Sequence, residues 1–305
     1  MKHVVMCSSG VGSAVAGWRV SRRFGTDDLT LLFADVNMEH PDNYRFLKEA
    51  SAWIGGDLVV LDNGGKTIWD VFRDKRFIGN TRVDLCSRVL KREPMRKWLE
   101  DHCDPADTMV HLGFDISEEH RVQRAAPYWV PWDVQAPLCW DPVIWKDQAI
   151  DILNRAGIEA PLLTRQGFPH ANCGGGCVKA GIGQFKKLYD LAPDTYAEWE
   201  RNERELRQTL GKVSILRDRR AVERLVKECS HPFTDVDEGG IEIDTFEHFP
   251  DECPSPVMEM RKVPTTTPMS LSQLRYRMGD VRTLNDMLTV DPGDSCNCMG
   301  DVTAD

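Results

Sequence analysis

The chain opens with a short apolar run, His3-Val4-Val5-Met6-Cys7, that passes at once into Ser8-Ser9-Gly10-Val11-Gly12-Ser13 and then into the helix-like AVAGWRVSRRF. A strand, a turn of small residues and a helix start in immediate succession are the first half of a strand–helix–strand unit. The pattern then repeats. LTLLFADV over 29–36 reads as a buried strand, HPDNYRFLKEASAWIG as a helix with Pro41 in its first turn, and DLVVLD over 57–62 as a third strand. A helix over 93–102, a strand over 108–112 and a helix over 142–156 that stops at Gly157 continue the alternation. Strands alternating with helices predict an α/β fold, a doubly wound, mostly parallel sheet covered on both faces, with ligands at the carboxyl ends of its strands.

Residues 1–182 are expected to form this nucleotide-binding domain, and 183–305 a helical and irregular C-terminal region. YAEWERNERELRQTL reads there as a solvated amphipathic helix. Beyond about Ser230 the acidic, Pro-rich sequence predicts loops and short helices rather than a second core. With 305 residues and 41% hydrophobic content, the chain can fill a proper core. No apolar stretch reaches 18 residues and the N-terminal run is too short for an exported leader, so a soluble, cytoplasmic protein without a membrane partner is expected. Its ten cysteines are then expected as reduced thiols, which raises the question of metal binding or thiol chemistry. A formal charge of −10 argues against a broad nucleic-acid surface, and a nucleic-acid acceptor would need a local basic groove, for which Arg22, Arg23, Arg88, Arg92 and Arg96 are candidates.

Free N–H groups at a helix start, approached by small side chains, suit a phosphate, and Ser8, Ser9, Gly10, Val11, Gly12 and Ser13 supply that arrangement. Neither a Walker loop nor a GxGxxG pattern is present. The segment resembles the SGGxDS signature of the PP-loop ATP pyrophosphatase superfamily, with Ser9 in place of the second Gly and Gly12 where the family has Asp. Further segments resemble its PAPS reductase-like branch. Phe33-Ala34-Asp35-Val36-Asn37 with Glu39, His40 and Tyr44 is similar to the second strand and the following helix. Cys86-Ser87-Arg88-Val89-Leu90-Lys91-Arg92 is similar to a Cys-x-x-x-Leu-Lys segment. Leu112-Gly113-Phe114-Asp115 with Glu118 and Arg121 is similar to a Gly-x-x-x-x-Glu-x-x-Arg element. The succession from Pro137-Leu138 through Gly157-Ile158 and Gly167-Phe168 to Cys173 completes the likeness over roughly residues 1–190. It implies an enzyme that binds ATP with Mg and cleaves it between the α and β phosphates. It also implies Arg88, Lys91 and Arg121 as cations for the phosphates, Asp35 and Gly113 beside the nucleotide, and a possible homodimer.

His170-Ala171-Asn172-Cys173-Gly174-Gly175-Gly176-Cys177 is the second strong feature, because three glycines let two sulfurs converge. Close thiolates suit zinc or an iron–sulfur centre. Related thiolating enzymes hold a four-iron cluster on three cysteines, which here implies Cys86, Cys173 and Cys177. The fourth ligand could be Cys298 or Cys296 of the tail, His170, or an exogenous sulfur or substrate atom, with Cys298 taken as the candidate. A structural zinc and a free or disulfide-bonded thiol pair are the alternatives. Cys7, Cys103, Cys139, Cys229 and Cys253 read as small core residues. The function implied is adenylation of a nucleic-acid or small-molecule acceptor followed by sulfur transfer, with sulfur from a donor protein. Reduction of PAPS or APS by a tail cysteine, or nucleotide or partner binding without turnover, are the other two readings.

Overall fold

The computed structural model describes residues 1–80, 83–211, 213–218 and 267–280. The tail cysteines Cys296 and Cys298, and Cys229 and Cys253, lie outside the described residues. The described chain divides into two compact units, one running from Met1 to Lys179 and one beginning at Ala180.

In the first unit the elements follow in order: β1 (Lys2–Cys7), α1 (Val11–Phe24), β2 (Leu29–Ala34), α2 (Pro41–Ile54), β3 (Asp57–Leu61) and α3 (Ile68–Lys75). A single helical turn α4 (Leu85–Ser87) passes through a π-helical turn (Arg88–Arg92) into α5 (Glu93–His102). Then come β4 (Thr108–His111), α6 (Glu119–Trp129), β5 (Asp133–Gln135), α7 (Lys146–Arg155) and the short α8 (Leu162–Arg165). The five strands form one sheet in the order β3-β2-β1-β4-β5, and every pairing is parallel. The edge strand Asp133–Gln135 is too short and too mixed to read as a strand from sequence.

Alternate residues of the central strands enter two cores, which is why β1 and β2 read as nearly continuous apolar runs. Val5, Cys7, Leu31 and Phe33 pack under α1, α2 and α7. Val4, Met6, Leu32 and Ala34 pack against Met95 and Leu99 of α5 and Ala125 and Trp129 of α6. Cys7 and Cys103 are core residues, as expected, and Cys139 is half-buried. Helix α7 starts at Lys146 rather than near Pro142, and the Gln148 side chain, accepting the Trp145 N–H at 2.9 Å, sets that boundary.

The second unit holds α9 (Ile182–Leu191), α10 (Pro193–Leu210), β6 (Leu216–Asp218), β7 (Thr267–Met269) and α11 (Leu271–Asp280), with β6 and β7 antiparallel. Its helix α10 is less solvated than its charge suggests. Tyr196, Trp199 and Leu206 are buried, and so is Glu203, whose two oxygens accept the backbone N–H groups of Ile215 and Leu271 at 2.8 and 2.7 Å. A carboxylate takes the place of a backbone partner there, so a small core forms where loops were expected.

Two histidines meet beneath the sheet's first core. His3 Nδ1 and His111 Nε2 are 3.0 Å apart and share one proton, with Phe24 stacked on His3 and Trp140 edge-on to His111. Burial, and then His3, push the pKa of His111 down to about 3, and His3 is lowered by burial and the N-terminal amine, against Asp28. A histidine held neutral contributes stability that is complete above its unfolded value of about 6.5 and lost as pH falls toward the folded value. Urea unfolding between pH 7 and pH 4 should therefore show a steeper loss of stability in the wild type than in His111→Phe; equal slopes would contradict the assignment.

Candidate functional site

The sheet order reverses at β1, which has β2 on one side and β4 on the other. The crevice outside the carboxyl ends of β1 and β4 is therefore the topological switch point, where ligands of such sheets bind. Ser8–Ser13 leaves the end of β1 there. Gly10 caps α1 without any side-chain acceptor and no acidic residue occupies the first turn. The hydroxyls tighten the loop instead: Ser13 Oγ accepts the Ser8 N–H at 3.2 Å and donates to Gly10 O at 3.0 Å, and Ser9 Oγ donates to Ser8 O at 2.6 Å. What the loop offers an anion is the set of uncapped first-turn amides. A small, mostly apolar cavity of about 10 Å³ adjoins them, walled by Ser9, Gly10 and Ser13 with Cys7, Phe46 and Ala50.

The two departures from the SGGxDS pattern have local causes and consequences. Ser9 stands at φ +53°, a left-handed conformation that a second glycine would take without strain. Gly12 faces Gly113 backbone to backbone: a Cβ on Gly12 would lie 2.6 Å from Gly113 O, and one on Gly113 would lie 2.6 Å from Ser13 N. No side chain fits at either position while α1 and the end of β4 stay this close. The absent Asp is thus replaced by a backbone contact that joins the two segments expected to flank the nucleotide.

Asp35, at the end of β2, accepts Tyr44 Oη–H and the Asn37 N–H on Oδ1, both at 2.8 Å. Asn63 ties this segment to the next, donating to Asp35 O at 2.7 Å and to Leu90 O at 2.9 Å. The Leu90 carbonyl is free for that bond because Pro94, four residues on, has no N–H to give it. The π-helical turn beside the proline changes which side chains face inward. Lys91 and Arg92 are buried, whereas Arg88 is 45% exposed and pairs with Glu93 at 3.6 Å.

Lys91 is held by Glu39, Nζ to Oε1 3.2 Å, with the two side chains 4% and 0% exposed. Glu39 Oε2 accepts the Cys173 N–H at 2.9 Å, and Asn43 Nδ2 donates to Ala171 O at 3.0 Å and to Glu39. The second strand segment is thereby bonded to the CGGGC loop. That loop curls through consecutive left-handed residues, Cys173 at φ +53°, Gly174 at +65° and Gly175 at +89°, so its glycines are required by conformation. On the other side Asp84 binds Arg92 at 2.9 Å and Lys179 Nζ at 3.3 Å, fastening the segment that carries Cys86 to the one that carries Cys177.

Cys86, Cys173 and Cys177 are free thiols brought together by these contacts. Burial, then Cys177 and Asp84, push Cys86 up to about 12; burial, Glu39 and Cys177 push Cys173 well up; burial raises Cys177. The thiols are protonated in the absence of a thiophilic partner. Lys91 acts on all three, and its own charge survives burial because of Glu39 and the cysteines. Among the described residues no three His, Cys, Asp or Glu side chains stand as ligands around one metal ion. The donor types nonetheless suit soft-metal chemistry: three free thiols from two segments, Cys173 and Cys177 buried and Cys86 half-buried.

Arg121 pairs with Glu118 and lies over the Phe114 ring at 4.4 Å. Arg22 and Arg23 are exposed, whereas Arg88 pairs with Glu93, Arg92 with Asp84, and Arg96 with Glu100 and the Tyr128 and Val130 carbonyls, so three of the five candidate groove cations are engaged within the fold. Asn43, Asn63, Asp84 and Lys179 were not singled out in the sequence. Asp84 and Lys179 each lie two residues from a site cysteine, and that spacing was the available signal.

No family model matches the chain, and no curated protein matches it. Solved structures similar to it include a phosphoadenylyl-sulfate (PAPS) reductase from Candida auris in a phosphate complex, at 15% identity and TM-score 0.39, covering 57% of this chain and 82% of that one. An NH3-dependent NAD synthetase from Campylobacter jejuni is similar at 15% identity and TM-score 0.38, over 69% of this chain and 84% of that one. The U34-tRNA thiolase NcsA from Methanococcus maripaludis, solved with its [4Fe-4S] cluster, is similar at 13% identity and TM-score 0.41, over 70% and 74%. The wholly parallel sheet, covered on both faces, is the α/β, Rossmann-like fold that the sequence resemblance implied. No helix of the described residues is long and apolar enough to cross a membrane.

The Gly12–Gly113 contact yields a direct test. Gly12→Asp, which restores the Asp of the SGGxDS pattern, should lower stability by about 1–3 kcal/mol through overpacking. A variant that melts at the wild-type temperature would contradict the backbone contact.

Proposed function

We propose that this chain is an ATP-using enzyme that adenylates an acceptor and then transfers sulfur to it. The observation that carries the reading is that Cys86, Cys173 and Cys177 lie on segments bonded to the buried Lys91–Glu39 pair, with Glu39 a few residues beyond the end of β2, the strand beside the one that carries the phosphate loop. ATP, carried with Mg, is assigned to the first-turn amides of α1, with Gly113 beside them. A carbonyl oxygen of the acceptor attacks the α-phosphorus, the bond to the β-phosphate oxygen breaks, and pyrophosphate leaves. Sulfide then attacks the carbonyl carbon, and the C–O bond breaks with the oxygen departing on AMP, so that hydrogen sulfide supplies the sulfur and its two protons are released.

The three thiols, losing their protons on loading, are assigned as ligands of a metal–sulfur group, with a four-iron cluster favoured over zinc. When bound, that group would hold the sulfur to be transferred. Lys91 sits among the sulfurs, so its role is assigned there, offsetting thiolate charge, rather than at the phosphates. Arg121 is assigned to charge developing on the phosphates, as electrostatic stabilisation of nucleotidyl transfer requires. The acceptor is a nucleic acid or a small molecule bearing a carbonyl, and a donor protein supplies the sulfur.

Anaerobic purification should give a brown protein containing iron and acid-labile sulfide, with both lost in Cys173→Ala while ATP binding is kept. Zinc alone, or no metal, would sink the sulfur-transfer reading. Release of sulfite from PAPS would place the reaction among the reductases instead.

A further inference from the structure

The sheet ends at β3, and among the described residues no strand pairs its outer edge. Natural sheets guard such an edge with a lysine, a proline or a bulge inside the strand, or with a covering element. The run Asp-Leu-Val-Val-Leu of β3 has neither lysine nor proline, and its register with β2 is unbroken. Leu58 and Val60 are 37% and 50% exposed, whereas Val59 and Leu61, on the other face, pack against the core built with α5 and α6. One bond tells which backbone groups turn outward. Leu61 gives its carbonyl to the Asp35 N–H on the β2 side, so the two-residue period of a strand turns Asp57, Val59 and Leu61 toward β2 and leaves the N–H and C=O of Leu58 and Val60 on the open side. The residues with the exposed apolar side chains therefore also carry the open backbone groups. Their occupant must supply both a strand and an apolar face.

We propose that β3 is a self-association edge, at which two copies of this chain pair antiparallel over Asp57–Leu61 about a two-fold axis at Val59 and join their sheets into one. The proposal is independent of the sulfur-transfer reading. A strand paired with its own copy about a two-fold axis runs antiparallel and keeps each sheet face on its own side, so residues opposite one another share a face. An axis at Val59 sets Leu58 of each copy opposite Val60 of the other. Both turn their backbone groups outward, so each such pair exchanges both of its hydrogen bonds, and the exposed side chains close into one apolar patch. The charges at the strand ends fit the same register. The two Asp57 carboxylates lie about 13 Å apart along the strands, beyond the ~8 Å screening length, and Asp57 of one copy and Asp62 of the other point to opposite faces. An axis at Val60 would instead set Asp62 against Leu58 on the apolar face, and one at Leu58 would set Val60 against Gly56, which has no side chain to pack. The edge is thus complementary to itself in one register. An edge of this length is small beside the ~800 Å² per partner of a standard interface, so the dimer is expected to dissociate on dilution.

The test uses the full chain. Analytical ultracentrifugation over a dilution series should show a reversible monomer–dimer equilibrium in the wild type, and Val60→Lys, placed at an exposed position, should lose the dimer while melting at the wild-type temperature. Val59 faces its own copy as a non-hydrogen-bonded pair, with Cα atoms about 4.5 Å apart. Val59→Cys should therefore form, under mild oxidation, a disulfide that joins position 59 of one copy to position 59 of the other, identified by mass spectrometry of unreduced peptides. Asp57→Cys, at about 13 Å from its counterpart, should form no such link. If Val60→Lys fails to fold, the two cysteine variants decide alone. A wild type that stays monomeric at every concentration overturns the proposal and leaves the edge to a foreign strand. A dimer that survives Val60→Lys, or a Val59→Cys variant that links no more than Asp57→Cys, overturns it as well.

Discussion

The buried pair Lys91–Glu39 is the contact on which the arrangement of this site depends. Taking two charges out of water costs several kcal/mol each, and a pair of this kind rarely repays that with net stability. Its worth lies in what it fixes. One oxygen of Glu39 holds the ammonium and the other holds the backbone of Cys173, so the end of the second strand, the π-helical turn and the CGGGC loop are locked to one another. Removing either partner would leave an uncompensated buried charge, a loss on the order of 3–5 kcal/mol. The positive charge also stands where thiolates would form, which lowers the cost of deprotonating sulfurs that burial otherwise keeps protonated.

Around this hub the sheet does the positioning. Because β1 lies between β2 and β4, the loops at their carboxyl ends converge, and the Gly12–Gly113 contact draws the start of α1 against the end of β4. The end of β2 is braced by Tyr44 on Asp35 and, four residues on, is bonded to the CGGGC loop through Glu39. Under the proposed function, this one short segment would link the nucleotide side of the site to the thiols, the proximity that a two-step transfer requires.

Much of the fold was legible because the signals were local. The apolar runs at β1, β2 and β3, and Pro41 at the start of α2, gave those elements within one or two residues. The strand β5 was not legible, since three mixed residues carry no period. The small core of the second unit was missed because Glu203 and Glu200 look like solvent-facing charges; the burial of Glu203 depends on backbone N–H groups of Ile215 and Leu271, the second of them far off in sequence. At the site, the grouping of Cys86 with Cys173 and Cys177 came from a family resemblance rather than from spacing. The inward turn of Lys91 was hidden, because it follows from a π-helical turn beside Pro94 that no propensity announces.

The most direct measurement of the central claim is anomalous X-ray diffraction at the iron edge from crystals grown under strict exclusion of oxygen. The account predicts iron density within bonding distance of the sulfurs of Cys86, Cys173 and Cys177, beside Lys91. Well-ordered thiols with no anomalous density between them, or density only at the zinc edge, would contradict it.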